Sequence, residues 1–384
     1  MSPPEVSILL PAFDAAATLD VSLRSVARQS EARWECIVVD DGSADGTRAV
    51  AERFAVRDAR FRVVATAHRG LVAALNAGLE HCRGRVVARM DADDLMHRER
   101  LRLQLGALDA APGLAAVGCH VRLFPRAGLT DGLRAYERWL DAIDSPERVR
   151  AEAFVECPLA HPTFMVRTEA LRATGYRDAG WPEDYDLVLR MLDLGHELGV
   201  VPRRLLGWRD GPRRLWRAGE AYRQERITAC KAAFLAARFL SATDAYVLWG
   251  YGPTGRNLRR ALAAHGKRAS HVVEVHPGRL GNTIHGAPVI SVEELRSRGD
   301  RWSPRWRARS RGGRSGMRSP RSASARRAIS SAPPSLDCGR WRGNALAAPA
   351  RAPLDRALLP LRRARCARRS PRGRPRVADR VRSV

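Results

Sequence analysis

The amino-acid sequence predicts an α/β fold: a mostly parallel sheet with helices on both faces, followed by a second, incomplete α/β unit and a basic tail. Three observations support this prediction. Short apolar segments alternate with segments of helical spacing, acidic residues follow several of the apolar segments, and the composition changes abruptly after residue 300. With 384 residues and 45% apolar content, the chain can bury more than one hydrophobic core.

The first four strands are predicted from short apolar runs that end at polar residues. The runs cover residues 6–10, 36–39, 61–65 and 86–90. Between them, apolar residues at helical spacing predict helices over 15–29, 49–54 and 71–81. Because ligands of parallel α/β sheets bind where the strands end, the polar residues after these strands are expected to meet at one edge.

After residue 100 the alternation of apolar runs and segments of helical spacing becomes less regular. We expect a helix over 101–108, a strand over 116–123, an irregular stretch to 158 and a helix over 216–240. A new strand over 245–249 runs into a glycine-rich turn and a helix over 256–265, with further strands over 272–275 and 288–290. The predicted organisation is a domain over 1–215, a helical connection over 216–243, a partial Rossmann-like unit over 244–300 and an Arg-rich disordered tail over 301–384.

The tail carries most of the positive charge. Residues after 300 hold 24 arginines, no lysine, three aspartates and no glutamate, so they carry +21 of the formal net charge of +26. A nucleic-acid-binding or lipid-binding arm, a disordered extension and an out-of-frame translation all fit this composition. The frameshift explains it best, because shifting the codons of residues 302–308 by two bases gives an apolar strand and a small-residue turn. No nucleic-acid partner is therefore expected.

The cysteines and the N-terminal sequence bear on the location of the protein. The seven cysteines lie singly, without the paired spacing of a zinc or redox site, which predicts buried reduced thiols. No signal-peptide pattern opens the chain, and no run of about 18 apolar residues occurs. We expect a cytoplasmic location and leave peripheral membrane contact open.

The strongest chemical signal is Asp91-Ala92-Asp93-Asp94 at the end of a predicted strand. Carboxylates one residue apart at a strand end can reach the same point, where Mg²⁺ or Mn²⁺ would take oxygen ligands from Asp91 and Asp93 and from a nucleotide diphosphate. The alternative is that Asp93 or Asp94 caps the following helix.

A second acidic turn, Asp40-Asp41-Gly42-Ser43, follows the second predicted strand. Its carboxylates can accept hydrogen bonds from a base or from ribose hydroxyls. Ser43 or Asp45 can instead cap the next helix. We expect Asp40 and Asp41 to face a ligand and Asp45 to face the helix.

Together these segments resemble family 2 glycosyltransferases of the GT-A fold. The opening strand and loop to Asp14, the acidic turn, the segment His68-Arg69-Gly70 to Gly78 and the Asp91 motif match that family's order. Phe13-Asp14 replaces its usual Tyr-Asn pair, and Leu75 replaces an arginine. The resemblance implies that the following residues bind a nucleotide-sugar donor, with UDP-sugars favoured: Pro11, Ala12, Phe13, Asp14, Asp40, Asp41, Arg69, Asn76, Asp91 and Ala92.

The resemblance extends to an acceptor-side half from His161-Pro-Thr to Glu183-Asp184-Tyr-Asp186. It implies that the Glu183-Asp184 pair is catalytic, with Asp184 taking the proton from an acceptor hydroxyl and the anomeric configuration inverting. The acceptor would be a carbohydrate or a lipid-linked sugar in polysaccharide or glycan biosynthesis. A helix N-terminus rich in acids is the structural alternative, for which Asp186 is the first candidate. Trp181 is a candidate for stacking on the acceptor sugar.

The glycine-rich turn of the second unit has the spacing Gly250-x-Gly252-x-x-Gly255, with Glu274 about 20 residues further on, which fits a dinucleotide fingerprint. A turn that binds nothing is the alternative. The pattern leaves open an oxidoreductase with a nicotinamide cofactor or a nucleotide-binding module. An inactive product of a frameshifted gene is the last alternative.

Overall fold

The structure is a computed structural model that describes residues 3–211, 214 and 219–297, and the backbone of a short strand at 328–330. A large sheet contains eight strands: β1 (Val6–Ala12), β2 (Trp34–Asp41), β3 (Phe61–Thr66), β4 (Val86–Arg89), β5 (Leu95–Met96), β6 (Leu114–Phe124), β7 (Met165–Arg167) and β8 (Glu197–Arg209). Their spatial order is β3-β2-β1-β4-β7-β6-β8-β5.

Eight helices accompany this sheet in the described part of the chain: α1 (Ala16–Ala27), α2 (Thr47–Arg57), α3 (Leu71–Glu80), α4 (Arg100–Ala110), α5 (Asp131–Asp141), α6 (Pro146–Glu152), α7 (Thr168–Thr174) and α8 (Glu183–Asp193). A ninth, α9 (Gln224–Ala237), follows the 3₁₀ turn Glu220–Tyr222. The helices predicted over 15–29, 49–54, 71–81 and 101–108 are all present, with ends shifted by a few residues.

The sheet has a hydrophobic core on each face. Strand residues alternate between the faces, so Ile8 and Leu10 pack into one core and Leu9 into the other. Helices α1, α2 and α4 cover the first face, while α3, α6, α7 and α8 cover the second. This arrangement confirms the predicted α/β class with helices on both faces.

The parallel pairing is confined to parts of the sheet. Strands β1, β2, β3 and β4 are parallel, and so are β6 and β8, but β7 is antiparallel to both β4 and β6, and β5 is antiparallel to β8. β7 is antiparallel because it re-enters the sheet at the end at which β6 leaves it, and the sheet as a whole is mostly parallel, as predicted.

The stretch predicted to be irregular between 124 and 158 contains two helices. Thr130 caps α5, its hydroxyl accepting a hydrogen bond from the Leu133 N–H, and Ser145 caps α6 in the same way through the Arg148 N–H, each at 3.3 Å. Pro146 at the first position of α6 is a further start signal. The prediction was wrong because these cap residues were not read as helix starts.

A smaller sheet forms the second unit. Its strands are β9 (Ala245–Trp249), β10 (Arg268–Val273), β11 (Thr283–Ile284), β12 (Ala287–Ile290) and β13 (Ala328–Ser330), in the order β11-β12-β10-β9-β13. Helices α10 (Pro253–Ala263) and α11 (Val292–Ser297) belong to it. Helix α9 contributes Ile227 and Cys230 to one core of the large sheet and Leu235 to the core of this unit.

The tail prediction needs one correction. No regular element was expected after residue 300, yet Ala328–Ser330 pairs in parallel with Val247–Trp249 at the free edge of β9. The edge of a strand offers backbone N–H and C=O groups with which a further strand can pair. A strand of only three residues has no recognisable pattern in the sequence. The rest of residues 301–384, and with it the frameshift hypothesis, lies outside the described residues.

Two composition-based expectations can be followed in the structure. The five cysteines in the described range, Cys36, Cys82, Cys119, Cys157 and Cys230, are buried free thiols, as predicted. Among the described residues, no helix combines the length and apolar character that crossing a bilayer requires.

Candidate active site

The carboxyl ends of β1, β2, β3 and β4 lie at the same edge of the large sheet, since these strands are parallel. The loops that follow them are held together by direct hydrogen bonds. The Asp14 N–H donates to Ser43 Oγ at 3.0 Å, and Asp14 Oδ1 accepts from the Ala44 N–H at 2.9 Å. The loops after β1 and β2 therefore form one connected surface.

The turn after β2 is built around the Asp41 carboxylate, which is only 3% exposed. Its oxygens accept from the Arg69 N–H at 3.0 Å and the Gly70 N–H at 2.9 Å, and the His68 ring lies 3.0 Å away. Gly42 has φ +71°, and a Cβ there would lie 2.7 Å from the His68 backbone nitrogen, so only glycine fits. Asp41 thus ties the β2 turn to the loop after β3.

The other two acidic residues of this turn, Asp45 and Asp40, have different contacts. Asp45 faces the helices, as expected. Asp45 accepts from the Ala16 N–H at 3.1 Å and from the Thr47 N–H at 2.9 Å, so it serves the first turns of α1 and α2. Asp40 is buried, and its carboxylate accepts a 3.3 Å hydrogen bond from the Ser43 N–H. The predicted contacts of Asp40 and Asp41 with a nucleotide remain predictions.

An aromatic pair covers this turn. The Phe13 ring, 47% exposed, stacks on the His68 ring with centroids 4.0 Å apart and planes at 20°. Arg69 is exposed beside it, while Pro11 and Ala12 are buried in β1 below the loop. Phe13 and Arg69 are therefore accessible at the end of the sheet, whereas Pro11 and Ala12 are not.

Asn76 occupies a structural position. Its amide nitrogen donates to the Tyr176 carbonyl at 3.0 Å, and its amide oxygen accepts from the Tyr176 N–H at 3.1 Å. This pair joins α3 to the segment between α7 and α8. The predicted contact of Asn76 with a nucleotide stays a prediction.

The three aspartates after β4 form a carboxylate cluster. One oxygen from each of Asp91, Asp93 and Asp94 lies within 4.8 Å of the other two. Asp91 also forms an ion pair with Arg89, whose side chain is buried. Neither Asp93 nor Asp94 caps a helix, because β5 follows directly and α4 begins only at Arg100. The capping alternative was therefore wrong.

Asp93 and Asp94 are held in place by β8. The Arg209 N–H donates to Asp94 Oδ1 at 2.7 Å, and Arg209 Nε donates to the Asp93 carbonyl at 2.6 Å. Burial, the main cause, and the charge of Asp91 raise the pKa of Asp93. Burial and the neighbouring charges of Asp91 and Asp93 raise the pKa of Asp94 well above its usual range.

The second acidic group lies at the start of α8. Glu183 is buried and accepts hydrogen bonds on both oxygens from the Tyr222 hydroxyl, at 2.8 and 2.7 Å, while His161 Nδ1 lies 3.2 Å from its Oε1. Burial opposes ionisation of Glu183, but the contacts with His161 and Tyr222 outweigh it and lower the pKa of Glu183.

The pKa of Asp184 shifts in the opposite direction. Burial, followed by the charge of Glu183, raises the pKa of Asp184 to about 8, against the hydrogen bond from the Tyr185 N–H at 2.7 Å and the charge of Arg89. Two adjacent carboxyl groups thus have pKa values displaced in opposite directions. That separation is typical of sites in which one group remains ionised while its neighbour exchanges a proton near neutral pH.

Asp186 is the structural member of the acidic sequence. It is fully buried and accepts from Arg177 Nη2 at 2.7 Å, Arg190 Nε at 2.6 Å and the Trp181 indole N–H at 3.0 Å. The indole of Trp181 is therefore anchored to Asp186. Its predicted stacking on an acceptor sugar stays a prediction.

Comparison with known proteins identifies the family. The sequence model of Glycosyl transferase family 2 matches residues 7–175. The putative glycosyltransferase EpsE of Bacillus subtilis is 32% identical over 200 residues, covering 50% of this chain and 69% of EpsE. The amylovoran biosynthesis glycosyltransferase AmsE of Erwinia amylovora is 32% identical over 195 residues, covering 50% of this chain and 71% of AmsE. The chain belongs to glycosyl transferase family 2.

This glycosyltransferase also has structural neighbours at low identity. Staphylococcus aureus TarS 1–349, solved with UDP-GlcNAc, is 15% identical with a TM-score of 0.48, covering 68% of this chain and 71% of TarS. The mannosyltransferase PcManGT of Pyrobaculum calidifontis, solved with GDP-Man and Mn²⁺, is 19% identical with a TM-score of 0.46, covering 69% of this chain and 70% of that one. Family membership confirms the predicted transferase rather than the alternative oxidoreductase.

Sequence reasoning missed several residues of the glycosyltransferase site. Arg89 carried a signal, because it is a charged residue inside an otherwise apolar strand. Tyr222 carried none. An aromatic group formed by Tyr136, Trp139 and Trp208 also lies here, with Tyr136 stacked on Trp139 at 5.7 Å and Arg214 lying 4.2 Å from the centre of the Trp208 ring.

The basic loop after β8 is only partly described. Arg209 donates a hydrogen bond to the Asp93 carbonyl, and the charge of Arg214 opposes the rise in the pKa of Asp93. Arg213 and Trp216 of the same loop lie outside the described residues.

The glycine-rich turn of the second unit has the close packing that its spacing indicates. Gly250 has φ +83°, and a Cβ on Gly255 would lie 2.2 Å from the Gly250 carbonyl oxygen. Gly252 precedes α10, which begins at Pro253. Glu274 follows β10 but is paired with Arg279 at 2.9 Å. Nucleotide binding by Gly250, Gly252 and Gly255 remains a prediction.

Proposed function

We propose that this glycosyltransferase moves a sugar from a nucleoside-diphosphate donor, with UDP-sugars favoured, to an acceptor hydroxyl with inversion at the anomeric carbon and with help from a divalent metal. The observation that carries the proposal is the pairing of two acidic centres. A three-carboxylate cluster lies after β4, and Asp184, with its raised pKa, lies at the start of α8. Arg89 is ion-paired with the first centre and acts electrostatically on the second.

The residues present fit a hard divalent cation such as Mg²⁺ or Mn²⁺. Asp91, Asp93 and Asp94 offer clustered oxygen ligands, and among the described residues no group donates a hydrogen bond to the buried Asp94 Oδ2. Burial and the mutual repulsion of the carboxylates raise the pKa values of Asp93 and Asp94, and a bound cation would offset both effects. Asp91 and Asp93 would hold the ion, which would neutralise the diphosphate as it leaves.

The donor nucleotide is proposed to lie along the Phe13–His68 pair. An exposed aromatic ring offers a stacking surface for a base, and exposed Arg69 lies next to it. The hydrogen bonds of Asp14 and Asp41 fix this surface before the donor arrives. In this arrangement Asp41 acts mainly by shaping the loop.

Asp184 is proposed to be the general base. It removes the acceptor hydroxyl proton while the acceptor oxygen forms a bond to the anomeric carbon. The bond between that carbon and the diphosphate oxygen breaks on the opposite side, and its electron pair leaves with the diphosphate. One displacement inverts the anomeric configuration, so no covalent enzyme intermediate is needed.

The names of relatives support the substrate classes. The Escherichia coli relative WfgD, 34% identical over 104 residues, is named a UDP-Glc:α-D-GlcNAc-diphosphoundecaprenol β-1,3-glucosyltransferase; the match covers 27% of this chain and 40% of WfgD. By analogy we propose a UDP-sugar donor and a carbohydrate or lipid-linked acceptor in polysaccharide biosynthesis. A cytoplasmic location with peripheral membrane contact fits such an acceptor.

The test uses the full chain with a panel of nucleotide sugars and either Mg²⁺ or Mn²⁺, measuring donor consumption and the anomeric configuration of the product by NMR. We expect metal-dependent turnover that is lost in Asp93→Ala and Asp184→Asn and retained in Asp193→Asn, a half-exposed control at the end of α8. A folded protein that neither binds nor consumes any donor would refute the proposal. A product with retained configuration would refute the single displacement.

A further inference from the structure

The Glu183 carboxylate is held by side chains from two distant segments. The Tyr222 hydroxyl, in the 3₁₀ turn that precedes α9, lies 2.8 and 2.7 Å from its two oxygens. His161, in the turn before β7, contacts Oε1 at 3.2 Å through Nδ1. Glu183 thus has at least two donors, and neither comes from its own helix.

The contacts of His161 with Tyr176 and Glu183 show which group donates in each hydrogen bond. The Tyr176 hydroxyl lies 3.2 Å from His161 Nε2. Burial, with the charge of Arg89, lowers the pKa of His161, so its ring is neutral near pH 7. A neutral ring can donate from only one nitrogen, and an ionised Glu183 requires that donor to be Nδ1–H. The Tyr176 hydroxyl therefore donates to Nε2, and His161 donates to Glu183.

From this network we infer that Tyr222 is a positioning residue for the transfer reaction: its hydroxyl keeps Glu183 anionic and fixed beside Asp184, and this maintains Asp184 as the proton acceptor. The inference rests on the proposed role of Asp184 as the base. The hydrogen bonds of Tyr222 go to Glu183, so Tyr222 acts on Asp184 chiefly through Glu183.

The electrostatic argument follows from the coupling of adjacent carboxyl groups. If Glu183 were to take up the shared proton, Asp184 would lose the neighbouring charge that strengthens its basicity. Removing the Tyr222 hydroxyl leaves the Glu183 charge less well solvated, so the shared proton moves from Asp184 towards Glu183. The doubly ionised pair, in which Asp184 is the stronger base, then forms only at a higher pH. In the described part of the chain, the other titratable or charged groups around the pair are His161, Tyr176, Arg89, Glu156, Cys157, Tyr136, Tyr185 and Cys230.

The position of Tyr222 also changes the extent of the catalytic unit. The first domain was expected to end at residue 215, and the family match ends at 175, yet the Glu183 donor lies at 222. The turn that carries it continues into α9, whose far end packs into the core of the second unit. The catalytic unit therefore includes the helical connection.

The test compares Tyr222→Phe with wild type in the full chain, measuring kcat/KM for transfer between pH 6 and 10. We expect the acidic limb to move to higher pH, with kcat/KM about three- to tenfold lower at pH 7 and close to wild type at the high-pH plateau. Tyr251→Phe, a tyrosine of the second unit, is the matched control and should leave the limb unmoved. Nucleotide affinity should be equal in all three proteins.

A uniform loss at every pH, or no change at any pH, would overturn the inference. A second pair of variants protects it against misfolding of Tyr222→Phe. His161→Leu removes the other donor to Glu183 and should move the limb in the same direction, whereas His161→Asn keeps an amide N–H close to the position of Nδ1 and should restore it. Absence of transfer by the wild-type chain with every donor would instead refute the proposed function.

Discussion

As the proposed general base, Asp184 should make the reaction rate strongly dependent on pH. A general base must be ionised to accept a proton, and burial together with Glu183 raises the pKa of Asp184 to about 8. The ionised fraction then rises from about a tenth at pH 7 to about nine tenths at pH 9, so kcat/KM should increase about tenfold over that interval. An aspartate with its ordinary pKa would give no change there.

The assay follows nucleotide release under limiting acceptor between pH 6 and 10, with Mg²⁺ at constant free concentration. Asp184→Asn supplies the reference, because its residual rate should lack the acidic limb. A wild-type rate that is flat from pH 6 to 9 would refute the assignment of Asp184 as a base with a raised pKa. A limb that persists in Asp184→Asn would assign the titration to another group.

Three further predictions concern stability and the second unit. The raised pKa of Asp94 means that the native state keeps a proton that the unfolded chain has already lost. The free energy of unfolding of the metal-free protein should therefore fall as pH rises above the ordinary aspartate pKa. Urea unfolding at several pH values should show a smaller fall for Asp94→Asn. Asp186→Ala should lower the free energy of unfolding by about 3–5 kcal/mol, since it leaves Arg177 and Arg190 without their buried carboxylate; a loss below about 1 kcal/mol in urea titration would contradict this. Gly255→Ala should destabilise the second unit by about 1–3 kcal/mol, because its Cβ would lie 2.2 Å from the Gly250 carbonyl oxygen, while donor affinity by calorimetry stays unchanged; equal thermal stability of the two proteins would contradict it.

The first half of the large sheet could be predicted because each strand has a strong local signal. β1, β2 and β4 are buried on both faces and read as continuous apolar runs, and each ends at a turn or an acidic residue. β7 could not be predicted, since it has three residues and its antiparallel direction depends on how the chain returns from β6. Pairing of this kind is set by tertiary structure rather than by local sequence.

The residues of the site also differ in whether the sequence alone reveals them. The aspartates after β4 and the Glu183-Asp184 pair are local motifs, so the sequence reveals them. The contacts of Tyr222 with Glu183 and of Asn76 with Tyr176 join residues that are 39 and 100 positions apart. Neither spacing follows a helical or strand period, so only the folded chain shows that Tyr222 belongs to the site and that Asn76 has a structural contact.

The charge distribution around Arg89 gives an independent physical reason to expect a cation at this site. Arg89 is buried and ion-paired with Asp91, and its charge acts on the pKa of Asp184. Even so, the pKa values of Asp93, Asp94 and Asp184 all rise, so burial and neighbouring carboxylates outweigh the nearby arginines. A doubly charged diphosphate would meet the same unfavourable field. This charge balance supports the proposal that a cation binds together with such a ligand, at the clustered oxygens of Asp91, Asp93 and Asp94.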